Sequence, residues 1–316
     1  MLYANIKFDG NRNGSVNIGD DLQILAIEYL YQYMGIDYKD VVRIRLSELS
    51  TYTGEYAILP VSFPLYGYRE GTYITMFSPK IIPVFLGLSI MSNNISKEEC
   101  DYLRRYEPIG CRDYYTVKIL RNHNILAYLN GCMTVTLPQR DIMKNYEQKT
   151  VYLVDIPTKY TKYIPDQLLK GCVIKSQILE ECVDPEKTMR ERLDEYEKNA
   201  SVVITTRLHC VLPCLAMGIP VVFMKEKYSF RFSAISRFIH VYTEEEFDKI
   251  DFSPKPVSYE SKKKSILALA AKRITETYNR YREIFDLSNF YETNNNLSTY
   301  YIEHFDNVIE DVLPFF

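Results

Sequence analysis

The sequence predicts an α/β protein made of two doubly wound, Rossmann-like domains facing each other across a cleft, followed by C-terminal helices. Three observations carry that reading. Ser201-Val202-Val203-Ile204-Thr205 and Ile219-Pro220-Val221-Val222-Phe223 are short, apolar and rich in β-branched residues, as strands of a parallel sheet covered on both faces are. The segment between them is long enough for a crossover helix and ends at Gly218, a natural helix stop. The same alternation of strand-like and helix-like stretches recurs in both halves of the chain.

Taken in order, residues 1–8 read as a first strand. Turn residues follow in Asp9-Gly10-Asn11-Arg12-Asn13-Gly14-Ser15-Val16-Asn17. A helix is expected from near Ile18, with Asn17 as its N-cap, Asp20 and Asp21 in its first turn, and Leu22, Leu25, Ala26, Tyr29, Leu30 and Tyr33 on its apolar face. This strand–loop–helix opening carries neither GxGxxG nor GxxxxGK, so no dinucleotide or nucleoside triphosphate motif stands behind it. Residues 56–61 and 81–88 are further strands, and Ser96-Lys97-Glu98-Glu99 is a capping box. Ile109-Gly110-Cys111-Arg112-Asp113 is a short strand leading into a helix over 114–122, and 125–138 completes a first domain assigned to residues 1–140.

The second domain, 141–256, opens with a strand at 149–155 and continues with one at 171–174. Its next helix, 185–198, is capped by Asp184 with Pro185 at the first position. The unit around Arg207 follows, then residues 230–238 and a strand at 240–242. In 257–316 the spacing of Ile266, Leu267, Ala270, Ile274, Tyr278, Tyr281 and Phe285 predicts a long helix, and a last helix is expected over 298–312. Lys262, Lys263, Lys264, Lys272, Arg273, Arg280 and Arg282 make the long helix basic, which suits a solvated face or peripheral contact with a membrane surface.

Composition narrows the function classes. A hydrophobic content of 47% with 25% charged residues supports a real core. The net charge of −3 gives no general attraction to nucleic acid. No stretch has the length of a membrane span and the N-terminus lacks the layout of a secretory signal. Seven cysteines without paired spacing suit a reducing compartment. Cys210 and Cys214 share a helix face beside His209, yet too few ligands surround them for zinc, so no metal is expected.

The most informative stretch runs from Arg207 to Gly218. Arg207 and His209 fall where a buried strand ends and a helix begins, which in open α/β sheets is where ligands bind and where helix N–H groups meet anions. A histidine near an apolar helix is often just a packed side chain. An arginine at a helix start, however, opposes the helix dipole, which makes a purely structural role less comfortable. The pair suggests an anionic substrate that also needs a proton.

Several dispersed pieces together resemble the polysaccharide pyruvyl transferase family. The strongest is Val203-Ile204-Thr205-Thr206-Arg207-Leu208-His209 with the trailing Ala216-Met217-Gly218-Ile219-Pro220-Val221-Val222. Asn17-Ile18-Gly19-Asp20, Ile109-Gly110-Cys111-Arg112-Asp113, residues 129–138 and Arg231-Phe232-Ser233 are also similar to that family, so the likeness spans roughly residues 1–243. One departure is Pro213, which deprives the His209 carbonyl of its helical partner, so the helix either starts late, near Cys210, or bends.

The resemblance implies a glycosyltransferase type B-like fold whose C-terminal helices pack back toward the first domain. It also implies transfer of pyruvate from phosphoenolpyruvate (PEP) to two hydroxyls of a sugar, forming a cyclic ketal and releasing phosphate. On that reading His209 is the general acid/base, and Arg207, Leu208, His209, Arg112 and Arg231 hold PEP. Asn17, Gly19 and Asp20 shape the acceptor side, and PEP is a substrate rather than a cofactor. The acceptor would be a galactose or mannose unit of a cell-surface polysaccharide or lipid-linked oligosaccharide, the partner class would exclude nucleic acid, and the location would be cytoplasmic, at the inner face of the membrane. Two alternatives stand beside it. A nucleotide-sugar-dependent glycosyltransferase of the same build commonly carries Glu-x7-Glu, but here Glu226 is followed eight positions on by Ala234. A non-catalytic carbohydrate-binding scaffold has no use for a proton donor beside a cationic clamp.

Overall fold

The computed structural model describes residues 1–9, 15–63, 77–91, 95–141, 149–182 and 184–293, with side chains to 286. Its strands in the first half are β1 (Leu2–Lys7), β2 (Val16–Asn17), β3 (Val41–Arg45), β4 (Ala57–Val61), β5 (Ile81–Phe85), β6 (Ile109–Cys111) and β7 (Ala127–Leu129). Those of the second half are β8 (Thr150–Val154), β9 (Val173–Lys175), β10 (Ile178–Leu179), β11 (Ala200–Thr205), β12 (Val221–Lys225) and β13 (Val241–Thr243). The α-helices are α1 (Leu22–Tyr33), α2 (Lys97–Arg104), α3 (Tyr114–Asn122), α4 (Asp166–Leu169), α5 (Pro185–Asn199), α6 (Leu208–Met217) and α7 (Glu260–Thr293).

Both halves are Rossmann-like α/β structures with parallel sheets. The first sheet has the order β3-β1-β4-β5, and a parallel bridge from Leu88 to Cys111 carries the ladder on to β6 and β7. The second has the order β13-β12-β11-β8-β9, parallel throughout. In each, the third strand returns past the first, so a topological switch point opens beside β1 and beside β8, where such sheets bind ligands. The fully buried pattern of β4 and β5 explains why their sequences are apolar without alternation.

The halves are stitched together rather than merely adjacent. β2 of the first half pairs antiparallel with β10 of the second, Asn17 opposite Ile178, and Ile18 N–H donates to the Gln177 carbonyl at 2.9 Å. Helix α6 is buried from His209 to Met217 because the second sheet lies on one side of it and Met133–Thr136 of the first half on the other. One hydrophobic cluster accordingly unites Ile18, Leu22 and Met133 with Val211, Leu215 and Ile274. Helix α7 lies along the first half: Ile266, Leu267 and Ala270 enter that cluster, Tyr278 stacks on Tyr3 at 4.8 Å, and Arg273 donates to the carbonyls of Tyr106, Glu107 and Pro108.

Some expectations need correction. Helix α1 starts at Leu22, with Asp21 at the N-cap and no side-chain cap bond, so Asn17 does not cap it and Asp20 precedes its first turn. Pairing with β10 holds Asn17 extended and delays the helix by one turn. Strand β3 has no counterpart in the sequence reading. Residues 230–238 form two short 3₁₀ turns, Phe230–Phe232 and Ile235–Arg237. Helix α6 starts at Leu208 and keeps Pro213 inside it. The helix expected over 298–312 lies outside the described residues.

Candidate functional site

The site is assembled where the C-terminal ends of β8, β11 and β12 meet the segment between β2 and α1. After β11 the backbone turns sharply, and two threonines hold the turn. Thr205 donates to the Val154 carbonyl at 3.1 Å and accepts from Arg207 N–H at 3.0 Å, while Thr206 donates to the Asp155 carbonyl at 2.7 Å. Arg207 therefore sits at the N-cap of α6 in an extended conformation, φ −100° and ψ 124°. Its Nε donates to Asp155 at 2.8 Å, and its two terminal amino groups make no hydrogen bond among the described residues. Its side chain is 42% exposed, so this fork is open to an incoming anion.

Asp155 belongs to the switch point, just past β8, and has a left-handed φ of 51°. Besides Arg207, its carboxylate accepts from Ser176 Oγ at 2.5 Å and from Gln177 N–H at 3.0 Å. At the end of β12, Lys225 donates to the Thr206 carbonyl at 3.1 Å. Burial lowers its pKa first, then the charges of Arg207 and Arg231, which sets these three cations close together.

Arg112 reaches the site from the first half. Its N–H donates to the Leu88 carbonyl at 2.8 Å, and its Nη2 donates to Gln23 Oε1 at 2.7 Å and to the Ser62 carbonyl. The residue is only 2% exposed, yet among the described residues its Nε and Nη1 have no hydrogen-bond partner. A buried guanidinium with unfilled donors is expensive unless something fills them.

His209, in the first turn of α6, is 9% exposed. Its Nδ1 stands 3.9 Å from Asp20 Oδ1 and its Nε2 4.0 Å from Cys132 Sγ. The first distance is too long for a direct hydrogen bond and becomes an ion pair only when the ring is protonated. Burial pushes its pKa well below 6.5, and the charges of Arg112 and then Arg231 push it further down. The imidazole is therefore neutral at neutral pH. It faces a carboxylate, a thiol and two guanidinium charges rather than a hydrocarbon interior.

Gly19 explains how the first half comes so close. A Cβ on it would lie 2.9 Å from Gln177 Oε1 and 3.2 Å from His209 Cβ, so a side chain there would push one of them away. Asn17 Oδ1 accepts from Gly19 N–H at 3.1 Å and shapes the loop that brings Asp20 to the imidazole.

The structure thus gathers Asp20, Gly19, Arg112 and His209, with Arg231 acting on His209 and linking through Lys225 to Arg207. Leu208 is half-buried and packs on the core beneath. Among the described residues, no group of three or more His, Cys, Asp or Glu side chains is placed to hold a metal ion, and no helix is long and apolar enough to cross a membrane.

The family model for polysaccharide pyruvyl transferase matches residues 17–228, a span that opens on β2 and closes just before Arg231. The chain belongs to the polysaccharide pyruvyl transferase family. No curated protein matches it. A solved structure, a functionally uncharacterized protein from Klebsiella pneumoniae subsp. pneumoniae NTUH-K2044, aligns at 15% identity over 74% of this chain and 88% of that one, with a TM-score of 0.43. That likeness is too slight to argue from.

Within this pyruvyl transferase the sequence reading passed over Lys225, Asp155, Gln177 and Cys132. A signal existed for Lys225, a lone cation ending the apolar run Val221-Val222-Phe223-Met224 next to the Arg207 strand. Asp155 ends the preceding strand of the same sheet edge, and the switch-point rule applied to β8 would have found it. Cys132 lies within 129–138, a stretch that carries the family likeness without marking a site residue, and Gln177 lies in a stretch without a pattern of its own.

Proposed function

We propose that the protein transfers the pyruvyl group of PEP to two hydroxyls of one sugar, closing a cyclic ketal and releasing phosphate. The observation that carries this is a buried imidazole facing Asp20, within the field of Arg112, two of whose donors are unfilled among the described residues. A substrate with two anionic groups and a carbon to be protonated needs that combination. PEP offers a carboxylate and a phosphate, which the open fork of Arg207, Nε and Nη1 of Arg112, Lys225 and Arg231 receive.

Electrostatics then sets the order of events. Before the donor binds, burial and the two arginines keep His209 unprotonated. The negative charge of PEP offsets those cations and raises the imidazole pKa, so the ring takes up a proton as the donor settles. His209 delivers that proton to the methylene carbon of PEP, which becomes a methyl group and leaves C2 oxocarbenium-like. A sugar hydroxyl adds to C2 as its proton passes to the imidazole or to Asp20. The bond from C2 to phosphate then breaks, leaving C2 oxocarbenium-like a second time, and a second hydroxyl of the same sugar adds to close the ketal. Of the two hydroxyl protons, one is accounted for in the methyl group and the other leaves with phosphate. No step is routed through a metal or a cofactor.

The acceptor enters on the side of Asn17, Gly19 and Asp20, where a carboxylate can hydrogen-bond sugar hydroxyls. Its sugar is a galactose or mannose unit of a cell-surface polysaccharide or of a lipid-linked oligosaccharide precursor. In this reading residues 1–140 form the acceptor domain, 141–256 the PEP domain of a glycosyltransferase type B-like pair closing on a cleft, and helix α7, the described part of 257–316, packs back on the first. The two parallel sheets, each with its switch point, support that arrangement. A PEP donor sets the reaction in the cytoplasm, at the inner face of the membrane where a lipid-linked acceptor lies, with basic residues of α7 in peripheral contact.

The test is to incubate the protein with PEP and a panel of β-galactosides and mannosides, then to follow phosphate release and product mass. A product heavier by one pyruvyl ketal is expected. Nucleotide release from a sugar donor with PEP inert would make the protein a glycosyltransferase, and sugar binding with no phosphate released would make it a scaffold.

A further inference from the structure

Pro213 lies four residues after His209 inside α6, so the His209 carbonyl has no N–H to receive along the helix. That carbonyl is not left alone. Gln177 Nε2 donates to it at 3.1 Å, from a side chain only 2% exposed. The rest of Gln177 is equally occupied. Its N–H donates to Asp155 at 3.0 Å, its carbonyl accepts from Ile18 N–H at 2.9 Å, and Gly19 leaves just enough room for its Oε1.

We infer that Gln177 is a positioning residue for His209, made necessary by Pro213, and that through Asp155 it ties the aim of the imidazole to that of Arg207. The inference rests on the pyruvyl-transfer reading for its catalytic meaning, but its structural content stands apart from it. With Pro213 present, the first turn of α6 would otherwise be free to tilt, and His209 lies in that turn. Gln177 pins the turn from outside the helix. Asp155 holds Gln177 N–H and Arg207 Nε on the same carboxylate oxygen, so the cationic fork and the imidazole are referenced to one point. The carbonyl bond from Ile18 extends the reference to the loop bearing Asp20.

The chemistry of the exchange supplies a sharp test. Gln177→Leu removes the donor, whereas Pro213→Ala gives the helix back its own N–H for the same carbonyl, and a carbonyl oxygen accepts two bonds. Measured by phosphate release well below the unfolding transition, Gln177→Leu should lower kcat about 10–100-fold, the scale on which a misplaced catalytic group costs rate. KM for PEP should stay near wild type, because Arg207 keeps Asp155 and Arg112 keeps its own anchors. Pro213→Ala alone should be close to wild type, and the double variant should recover most of the lost kcat. A purely structural role would move the unfolding temperature without that kcat–KM split.

A second readout needs no turnover. The chain has 4 histidines, so the His209 ring can be followed by NMR with the others as controls. Its resonances should shift in Gln177→Leu and return in the double variant. Folded Gln177→Leu with unchanged His209 resonances, or a loss of kcat that Pro213→Ala does not restore, overturns the inference. Wild-type protein inert toward PEP with every acceptor would instead sink the transfer reading, while the NMR comparison still decides the role of Gln177.

Discussion

Arg112→Met separates a functional cation from a structural one. Methionine is unbranched and nearly fills the volume of the arginine stem, so the backbone bond to Leu88 is untouched. Two opposing terms set the stability change. The Gln23 and Ser62 acceptors lose their donor, which costs about 1–3 kcal/mol for each group left unpaired. Removing a buried, incompletely satisfied charge in favour of an apolar side chain is commonly neutral to stabilising by about 1–4 kcal/mol. With two acceptors left unpaired the loss exceeds the gain at the middle of each range, so the unfolding free energy should fall by about 2 kcal/mol.

Activity should behave differently. Nε and Nη1 of Arg112 are unfilled among the described residues. A hydrogen bond to a charged group contributes about 1.5–3 kcal/mol, so two of them to the PEP anion amount to about 3–6 kcal/mol. That corresponds to about 10²–10⁴-fold in kcat/KM. The assay is steady-state phosphate release from PEP with a competent acceptor, run beside urea unfolding of the same preparations. A large loss of kcat/KM in a protein that is still folded, and destabilised by only about 2 kcal/mol, is the expected signature. Retention of kcat/KM within a few-fold, or a loss explained by unfolding, would refute the reasoning.

Three further outcomes follow from the same geometry. His209→Asn should lower ketal formation about 10²–10⁴-fold. It should also flatten the pH dependence of stability: the folded pKa is depressed below 6.5, so as pH falls through 6.5 the unfolded chain binds a proton that the folded one does not. Wild type then loses up to about 1.4 kcal/mol per pH unit more than the variant, read from urea unfolding at about pH 7 and about pH 5. Gly19→Ala places a Cβ 2.9 Å from Gln177 Oε1 and 3.2 Å from His209 Cβ; kcat should drop by about 10-fold or more, with the protein still folded by circular dichroism. Lys225→Met removes one cation of the donor cluster and should raise KM for PEP by about 10–100-fold, the equivalent of about 1.5–3 kcal/mol, while leaving the unfolding temperature nearly unchanged.

Much of the fold was legible because its strands are buried on both faces. β4, β5, β11 and β12 declare themselves as apolar runs, and Gly218 takes up the αL conformation at φ 70° expected of a helix stop. The capping box at Ser96 and the Asp184 cap before Pro185 were equally local, and both form. Strand β3 escaped because it is an edge strand of mixed burial, Val41-Val42-Arg43-Ile44-Arg45, without a clean period. Asn17 misled because an Asn before an apolar helix is a good cap by local rules; strand pairing with Ile178, far away in the chain, overrode that preference.

Arg207, His209 and Arg112 could be singled out from sequence because each stands at a strand-to-helix junction, a feature of neighbouring residues. Their partners could not. Arg112 meets Gln23 across 89 residues, Arg207 meets Asp155 across 52, and Gln177 reaches the His209 carbonyl across 32. The sequence alone determined the α/β rhythm and the presence of cations and an imidazole at sheet edges, since hydrophobic period and turn chemistry act over a few residues. Tertiary structure alone decided that the imidazole is buried and uncharged, that one guanidinium keeps two donors unfilled among the described residues, and that a glutamine replaces the bond a proline removed. Those properties come from desolvation and from distances of a few ångströms between distant segments, and they exist only once the chain has closed on itself.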